Sequence, residues 1–215
     1  MTEDKHQPKS RGRPVEPELQ EQKKNELIQA AFELLKQKSY HTITIRELAD
    51  IAGTQSAMVS YYFGSKEGLF VAALEQLATK DISLLQQAML DENPLKAFIR
   101  ALLGILSRYP QISRFMVDEL LAGDGPLREK LIDIFPRRMA LILPKLMESQ
   151  QRKGLIRDDL DPKWAAFSLM TMLISPFILK PVRDAAWSIS DEVISGEHWA
   201  DHIYQLFIDG ACGSK

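Results

Sequence analysis

The sequence predicts an all-α chain, with a small N-terminal three-helix unit joined to a larger helical bundle. Three observations lead there. Apolar residues recur at helical spacing nearly throughout, and no strand alternation stands out. Breaks fall at Pro and Gly. Several segments begin with recognisable caps, among them Thr44-x-x-Glu47, Ser65, Asn93-Pro94 and Asp161-Pro162.

Each element follows from its residues. Residues 1–16 are polar, contain Pro8 and Pro14, and read as a flexible arm. Leu27, Ile28, Ala31, Leu34 and Leu35 form the stripe of an amphipathic helix that ends near Lys38. Thr44 and Glu47 form a capping box, which starts a short helix carrying Ile45, Leu48 and Ala49 inward. Gly53 supplies the left-handed residue of a sharp turn. A third helix covers about 55–62, and Ser65 caps a longer one reaching about Leu90. Helices at about 94–108, 111–122 and 127–153 follow, separated at Pro110 and at Gly123–Pro126. Pro136 and Pro144 should kink or break the last of these, and Gly154 stops it. Asp161-Pro162 opens a helix to about Lys180, and a final helix spans 197–209.

A chain of 215 residues, 45% of them hydrophobic, is long enough for one large or two small cores. A net charge of −2 excludes a protein that coats nucleic acid over its whole surface, but leaves room for a local basic site. The one cysteine, Cys212, permits no disulfide within the chain, which fits a reducing cytoplasm. The N-terminus has no apolar run of the secretory type. The longest uncharged stretch, Trp164 to Leu179, falls short of the roughly 20 apolar residues of a spanning helix. It reads as a buried or interface helix, and no membrane partner is expected.

Helix, Gly turn and helix, with a further helix in front, is the layout of a helix-turn-helix unit, whose second helix enters a major groove. That helix needs one packing face and one face for DNA. Val59, Tyr62 and Phe63 suit packing, whereas Gln55, Ser56, Ala57 and Tyr61 lie near its start or on its outer face. Gln pairs with adenine, and Ala and Met touch thymine methyls. Hydroxyls and Lys66 suit phosphates, as does the amide-bearing start of the helix after Ser65.

The string TIRELADIAGTQSAMVSYYFGSKEGLF closely resembles the DNA-binding segment of the TetR family of bacterial transcriptional repressors, and the resemblance spans residues 24 to about 72. It implies a basic arm (1–20), a DNA-binding domain (21–72) and an effector-binding and dimerisation domain (73–215). It further implies that Thr44 caps the second helix and contacts phosphate, and that Arg46 reaches the backbone or a base edge. Gln55, Ser56, Ala57 and Met58 would face bases, Tyr62 and Lys66 would hold phosphates, and Phe63 would be core. Family members usually carry an aromatic where this chain has Ser60. Ser60 therefore removes one phosphate contact of the pattern, which Tyr61 can offset.

The family layout also implies a small-molecule pocket in the helices at about 94–153, and a homodimer through helices 162–180 and 197–209. Candidate pocket residues are Phe98, Phe115, Met116, Glu119, Met139, Trp164, Phe167 and Met170, although most of the large apolar side chains here are better read as ordinary bundle core. Glu119 shares a stripe with Ile112, Phe115 and Met116, so it either meets a cationic or hydroxylated ligand or pairs with Arg137 or Arg138. In the arm, KSRGRP places Lys9, Arg11 and Arg13 around a glycine, a pattern that lies in an A·T-rich minor groove or solvates a tail.

His198 and His202 share a helix face at zinc-compatible spacing, but surface or interface histidines explain them as well, and no metal or cofactor is expected. The expected function is thus a cytoplasmic, dimeric repressor released from a palindromic operator by an effector. A small all-α enzyme and an architectural A·T-rich DNA binder are the alternatives. Against the enzyme stands the lack of a phosphate-binding Gly loop or a nucleophile elbow.

Overall fold

Leu27, Ile28, Ala31, Leu34 and Leu35 are buried along one side of α1 (Pro17–Gln37), as their spacing requires. The structure is a computed structural model that describes residues 17–121, 123 and 125–211. Lys9, Arg11, Arg13 and Cys212 lie outside the described residues.

After a short 3-10 turn (Tyr40–Thr42), α2 (Ile45–Ile51) starts with the complete capping box. The Glu47 amide donates to Thr44 Oγ1 at 3.3 Å, and the Thr44 amide donates to Glu47 Oε2 at 2.9 Å. Gly53, at φ +60°, makes the turn into α3 (Ser56–Phe63). Helix α4 (Lys66–Ala88) begins at Ser65, whose hydroxyl accepts from the Gly68 amide at 3.0 Å. It packs on α1 and α3 at its N-terminal part, then continues into the bundle.

The bundle comprises α5 (Pro94–Arg108), α6 (Pro110–Leu121), α7 (Pro126–Ile134), α8 (Pro136–Arg152) and α9 (Pro162–Ile178). Asn93 and Asp161 cap α5 and α9 through their side chains, each followed by a proline whose missing N–H costs nothing there. The segment 127–153 is two helices, not one. It divides at Phe135, because Pro136 cannot donate to the preceding turn, whereas Pro144 is accommodated inside α8.

The region between α9 and the last helix, which periodicity leaves unassigned, contains α10 (Lys180–Val182), a π-helical turn (Arg183–Trp187) and α11 (Asp191–Ser195). Buried Arg183 organises it, donating to Asp184 Oδ1 at 2.6 Å and to Asp191 Oδ1 at 2.5 Å. Helix α12 (Glu197–Ala211) closes the chain against α5 and α11.

One apolar core runs from α1 through α4 into α5, α8 and α9, with Phe70, Phe98, Leu85 and Leu102 fully buried. Among the described residues, no single helix is long and apolar enough to cross a membrane. On α9, Ala165, Ala166, Leu169 and Leu173 face inward, while Trp164 and Phe167 remain 76% and 72% exposed.

Candidate nucleic-acid interface

Helix α3 has a single fully buried side chain, Val59, which anchors it against the core. Tyr62 and Phe63 are half-buried beside it. Gln55, Ser56, Ala57, Ser60 and Tyr61 are exposed, and Met58 is half-exposed. Tyr61 meets Tyr62 edge-on, with ring centroids 5.0 Å apart, so its 70% exposed ring stands beside the helix rather than inside the unit. Gln55 stands at the N-cap position but makes no side-chain cap, which leaves its amide available to an outside partner. Arg46, on the exposed side of α2, has Asp50 as its nearest carboxylate, at 3.9 Å. Thr44, Arg46, the start of α3 and Tyr61 thus carry unburied polar groups on consecutive elements of one small unit.

Two residues are placed differently from the expectation. The Lys66 ammonium donates to the carbonyls of Tyr40 at 3.2 Å and Ile43 at 3.0 Å, and sits 4.3 Å from the centre of the Tyr40 ring. It ties the 3-10 turn to the start of α4, so most of its donor capacity is used inside the fold. The first turn of α4, expected as a phosphate site, carries Glu67 and the Ser65 cap. Hydrogen bonds from the Glu67 amide and Ser65 hold the Glu67 carboxyl below its usual range, so the helix end already has its own anion.

The turn at residues 40–42 also reaches the bundle. Tyr40 packs edge-on to Phe70, with centroids 4.9 Å apart, and against Phe115 of α6 at 5.0 Å. Burial, reinforced by Glu67, pushes its hydroxyl well above the usual phenol range. Beside it, His41 Nε2 lies 2.9 Å from buried Glu119 Oε1. Glu119 therefore pairs with neither arginine suggested by the sequence. Arg137 pairs with Asp133 one turn away, and Arg138 with Glu75 of α4. The pairing with His41 was not foreseeable, since the two residues lie far apart in the chain.

A cavity of about 160 Å³ lies between α4, α5, α6 and α9, and the α7–α8 corner lines part of it. Leu74, Ile105, Met116, Phe135 and Phe177 supply much of its apolar wall. Of the eight pocket candidates, Met116 lines it. Phe98 and Met139 are buried in the core, Phe115 and Glu119 turn towards Tyr40 and His41, and Met170 is half-buried in the packing around α9. Trp164 and Phe167 point away, because the inner face of α9 is taken by Ala165, Ala166 and Leu169.

Sequence reasoning passed over Asp81, the one charged side chain on the cavity wall among the described residues. The signal was present. Leu74, Ala78, Asp81 and Leu85 share the buried stripe of α4, so an acid falls at a core position. Burial pushes the Asp81 carboxyl above its usual range, against the pull of Arg108 and Lys80. The wider groove between α1 and the Gly53 turn, about 990 Å³, is lined largely by charged and polar side chains of α1 and is not this cavity.

On α12, His198 and His202 are exposed, and His202 packs near Trp199. Among the described residues, no group of three His, Cys, Asp or Glu side chains is arranged to hold a metal ion.

Residues 27–73 match the model of the bacterial regulatory proteins, tetR family. The HTH-type transcriptional regulator RutR of Escherichia coli K12 is 34% identical over 112 residues, 51% of this chain and 53% of that protein. The chain thus spans about half the length of the curated relatives it matches first. The HTH-type transcriptional repressor NicS of Pseudomonas putida is 24% identical over 142 residues, 64% of this chain and 67% of that protein. Among solved structures, the fatty acid degradation regulator FadR of Bacillus halodurans superposes with a TM-score of 0.74 at 19% identity, covering 92% of this chain and 98% of that one. FadR of Bacillus subtilis, solved with stearoyl-CoA, gives 0.74 at 18% identity, covering 86% and 98%. At these identities the structural likeness establishes the fold.

Proposed function

Because residues 27–73 match the model of the bacterial regulatory proteins, tetR family, we propose that the chain is a member of that family and a dimeric, sequence-specific DNA-binding repressor released from its operator by a small molecule. The observation that carries this reading is the division of α3 into one buried anchor, Val59, and an exposed set from Gln55 to Tyr61. Such a helix is held firmly yet presents its start to a groove. Gln55, Ser56, Ala57 and Met58 would read base edges. Arg46, Ser60, Tyr61 and Tyr62 would position the unit on phosphates, whereas the Thr44 amide and hydroxyl both donate to Glu47 Oε2, so Thr44 would act mainly as the cap of α2. Lys66 would act mainly by fixing the 40–43 turn.

The charged residues from Thr44 to Lys66 are balanced, with Arg46 and Lys66 against Glu47 and Asp50. Lys9, Arg11 and Arg13 would therefore supply most of the salt-dependent attraction, reaching phosphates or a minor groove beside the operator.

Two copies would pair through the outer faces of α9 and α12. Trp164, Phe167 and Leu206 are exposed there, and a dimer would cover them. The cavity beside α4 would hold the effector. Ligand bound there would favour a spacing of the two α3 helices that no longer fits successive major grooves.

The test is selection of bound fragments from random duplex DNA with the full chain at near-physiological salt. A two-fold-symmetric site is expected. Recovery of non-palindromic A·T-rich DNA would instead assign an architectural role to the arm, and recovery of nothing would overturn the reading.

A further inference from the structure

We infer that the cavity beside α4 selects a small apolar cation, a compact hydrocarbon or aromatic body bearing one ammonium group, and that Asp81 is its anchor. The inference rests on the reading of this cavity as an effector site and names the chemistry it takes.

Size sets the first limit. A cavity of about 160 Å³ is close to the roughly 150 Å³ of an apolar cavity that accepts benzene, so a single ring or a short branched chain fits. A long acyl chain would exceed this volume and extend out of the cavity. The wall sets the second limit. Leu74, Ile105, Met116, Phe135 and Phe177 offer dispersion contacts and no strong hydrogen bond. The Ser113 hydroxyl on the same wall is directed to the Leu106 carbonyl, at 3.4 Å.

Charge sets the third. Asp81 is 3% exposed, and its Oδ1 has no hydrogen-bond partner. The nearest cation, Arg108 Nη1, stands 3.9 Å away, an ion-pair distance but too long for a hydrogen bond. A buried carboxylate with an incomplete shell is costly, and a ligand that supplies N–H donors and positive charge relieves that cost. An anionic ligand would add like charge to a desolvated carboxylate. A neutral alcohol would offer one donor and no positive charge beyond that of Arg108.

The position of Asp81 also gives the ligand a lever. It lies on α4, 15 residues beyond Lys66, or about 22 Å along the helix at about 1.5 Å per residue. Lys66 in turn holds the turn of residues 40–43 and the start of the helix that follows α3. A cation drawn to Asp81 acts on the element that joins the cavity to α3.

The experiment measures binding of benzylamine, benzyl alcohol and benzoate to the full chain without DNA, by ligand-detected NMR and thermal shift, with Asp81→Asn as the near-isosteric variant. Benzylamine should bind the unaltered protein about tenfold or more tightly than benzyl alcohol, with benzoate weakest. In Asp81→Asn that preference should vanish while benzyl alcohol binds as before. Equal binding of amine and alcohol, retention of the preference in Asp81→Asn, or binding of none of the three overturns the inference. Should Asp81→Asn not fold, the comparison of the three probes on the unaltered chain decides alone. DNA selection is run separately. A two-fold site with no amine binding would sink the ligand class and leave the regulator reading intact, and amine binding without any DNA site would do the reverse.

Discussion

At the scale of single residues, the candidate interface separates groups that hold the unit together from groups that face outward. Glu47 belongs to the first set. Lys38, the Thr44 amide and the Thr44 hydroxyl together hold its carboxyl down from 4.5 to about 2. A depressed folded-state value means that its contribution is complete above the unfolded value and is lost as pH falls. The stability difference between the unaltered protein and Glu47→Gln, measured by urea unfolding, should therefore be constant above pH 4.5 and shrink towards about pH 2. A difference that stays flat across that window would mean the pairs do not form. Gln55 belongs to the outward set, and half-buried Tyr62 stands at its border. Gln55→Ala should lower discrimination between operators by about 1–3 kcal/mol, whereas Tyr62→Phe should weaken binding to all sequences alike. Competition binding on the selected site and on single-base variants separates the two effects. The residue types on α3 could be read from the sequence, since Gln, Ser and Tyr beside one Val already divide the helix. Asp81 was legible too, as an acid on the buried stripe of α4, whereas the His41 pair and the internal role of Lys66 were not, because each depends on a partner brought close only by packing between elements.

At the scale of elements, the joint between α3 and α4 is the tightest feature of the N-terminal unit. A Cβ on Gly68 would stand 2.0 Å from the Phe63 carbonyl oxygen, a backbone atom that cannot swing aside. Gly68→Ala should therefore shift α3 against α4 and destabilise the protein by about 1–3 kcal/mol, with DNA affinity falling further than stability alone explains. Thermal unfolding and DNA titration of the same variant check both parts, and an unchanged melting temperature would show that the joint yields. The same corner explains which helix ends were legible in advance. Thr44, Ser65, Asn93 and Asp161 announce helix starts through local chemistry, so those boundaries agree with the structure to within a residue or two. The Phe135 break was signalled only as a choice between kink and division. Pro136 and Pro144 share the same backbone chemistry, and their different outcomes come from tertiary packing. Residues 180–195 gave no periodic signal because their order comes from the ion pairs of Arg183 and Lys180 with Asp184 and Asp191, not from an apolar stripe.

At the scale of the whole molecule, the question is why a chain with a complete core leaves Trp164 and Phe167 in solvent. Both lie on α9, opposite Ala165, Ala166, Leu169 and Leu173, so their exposure follows from the helix period and not from poor packing. Leu206 on α12 and Leu179 and Val182 after α9 are exposed as well. Exposed large apolar groups on neighbouring helices suit an association surface, and a two-fold pair would cover them on both copies at once. One α3 helix offers few base contacts, so a monomer would bind weakly, and two copies held at one helical turn of DNA would bind a palindrome far more tightly. Phe167→Glu places a charge where two copies would meet and changes nothing in α1 to α4. It should convert the dimer to a monomer in sedimentation equilibrium and reduce affinity for a two-fold operator by orders of magnitude. Binding to an isolated half-site should stay as it was. If the variant remains dimeric and keeps full operator affinity, the two copies meet elsewhere, and the outer face of α9 serves another partner.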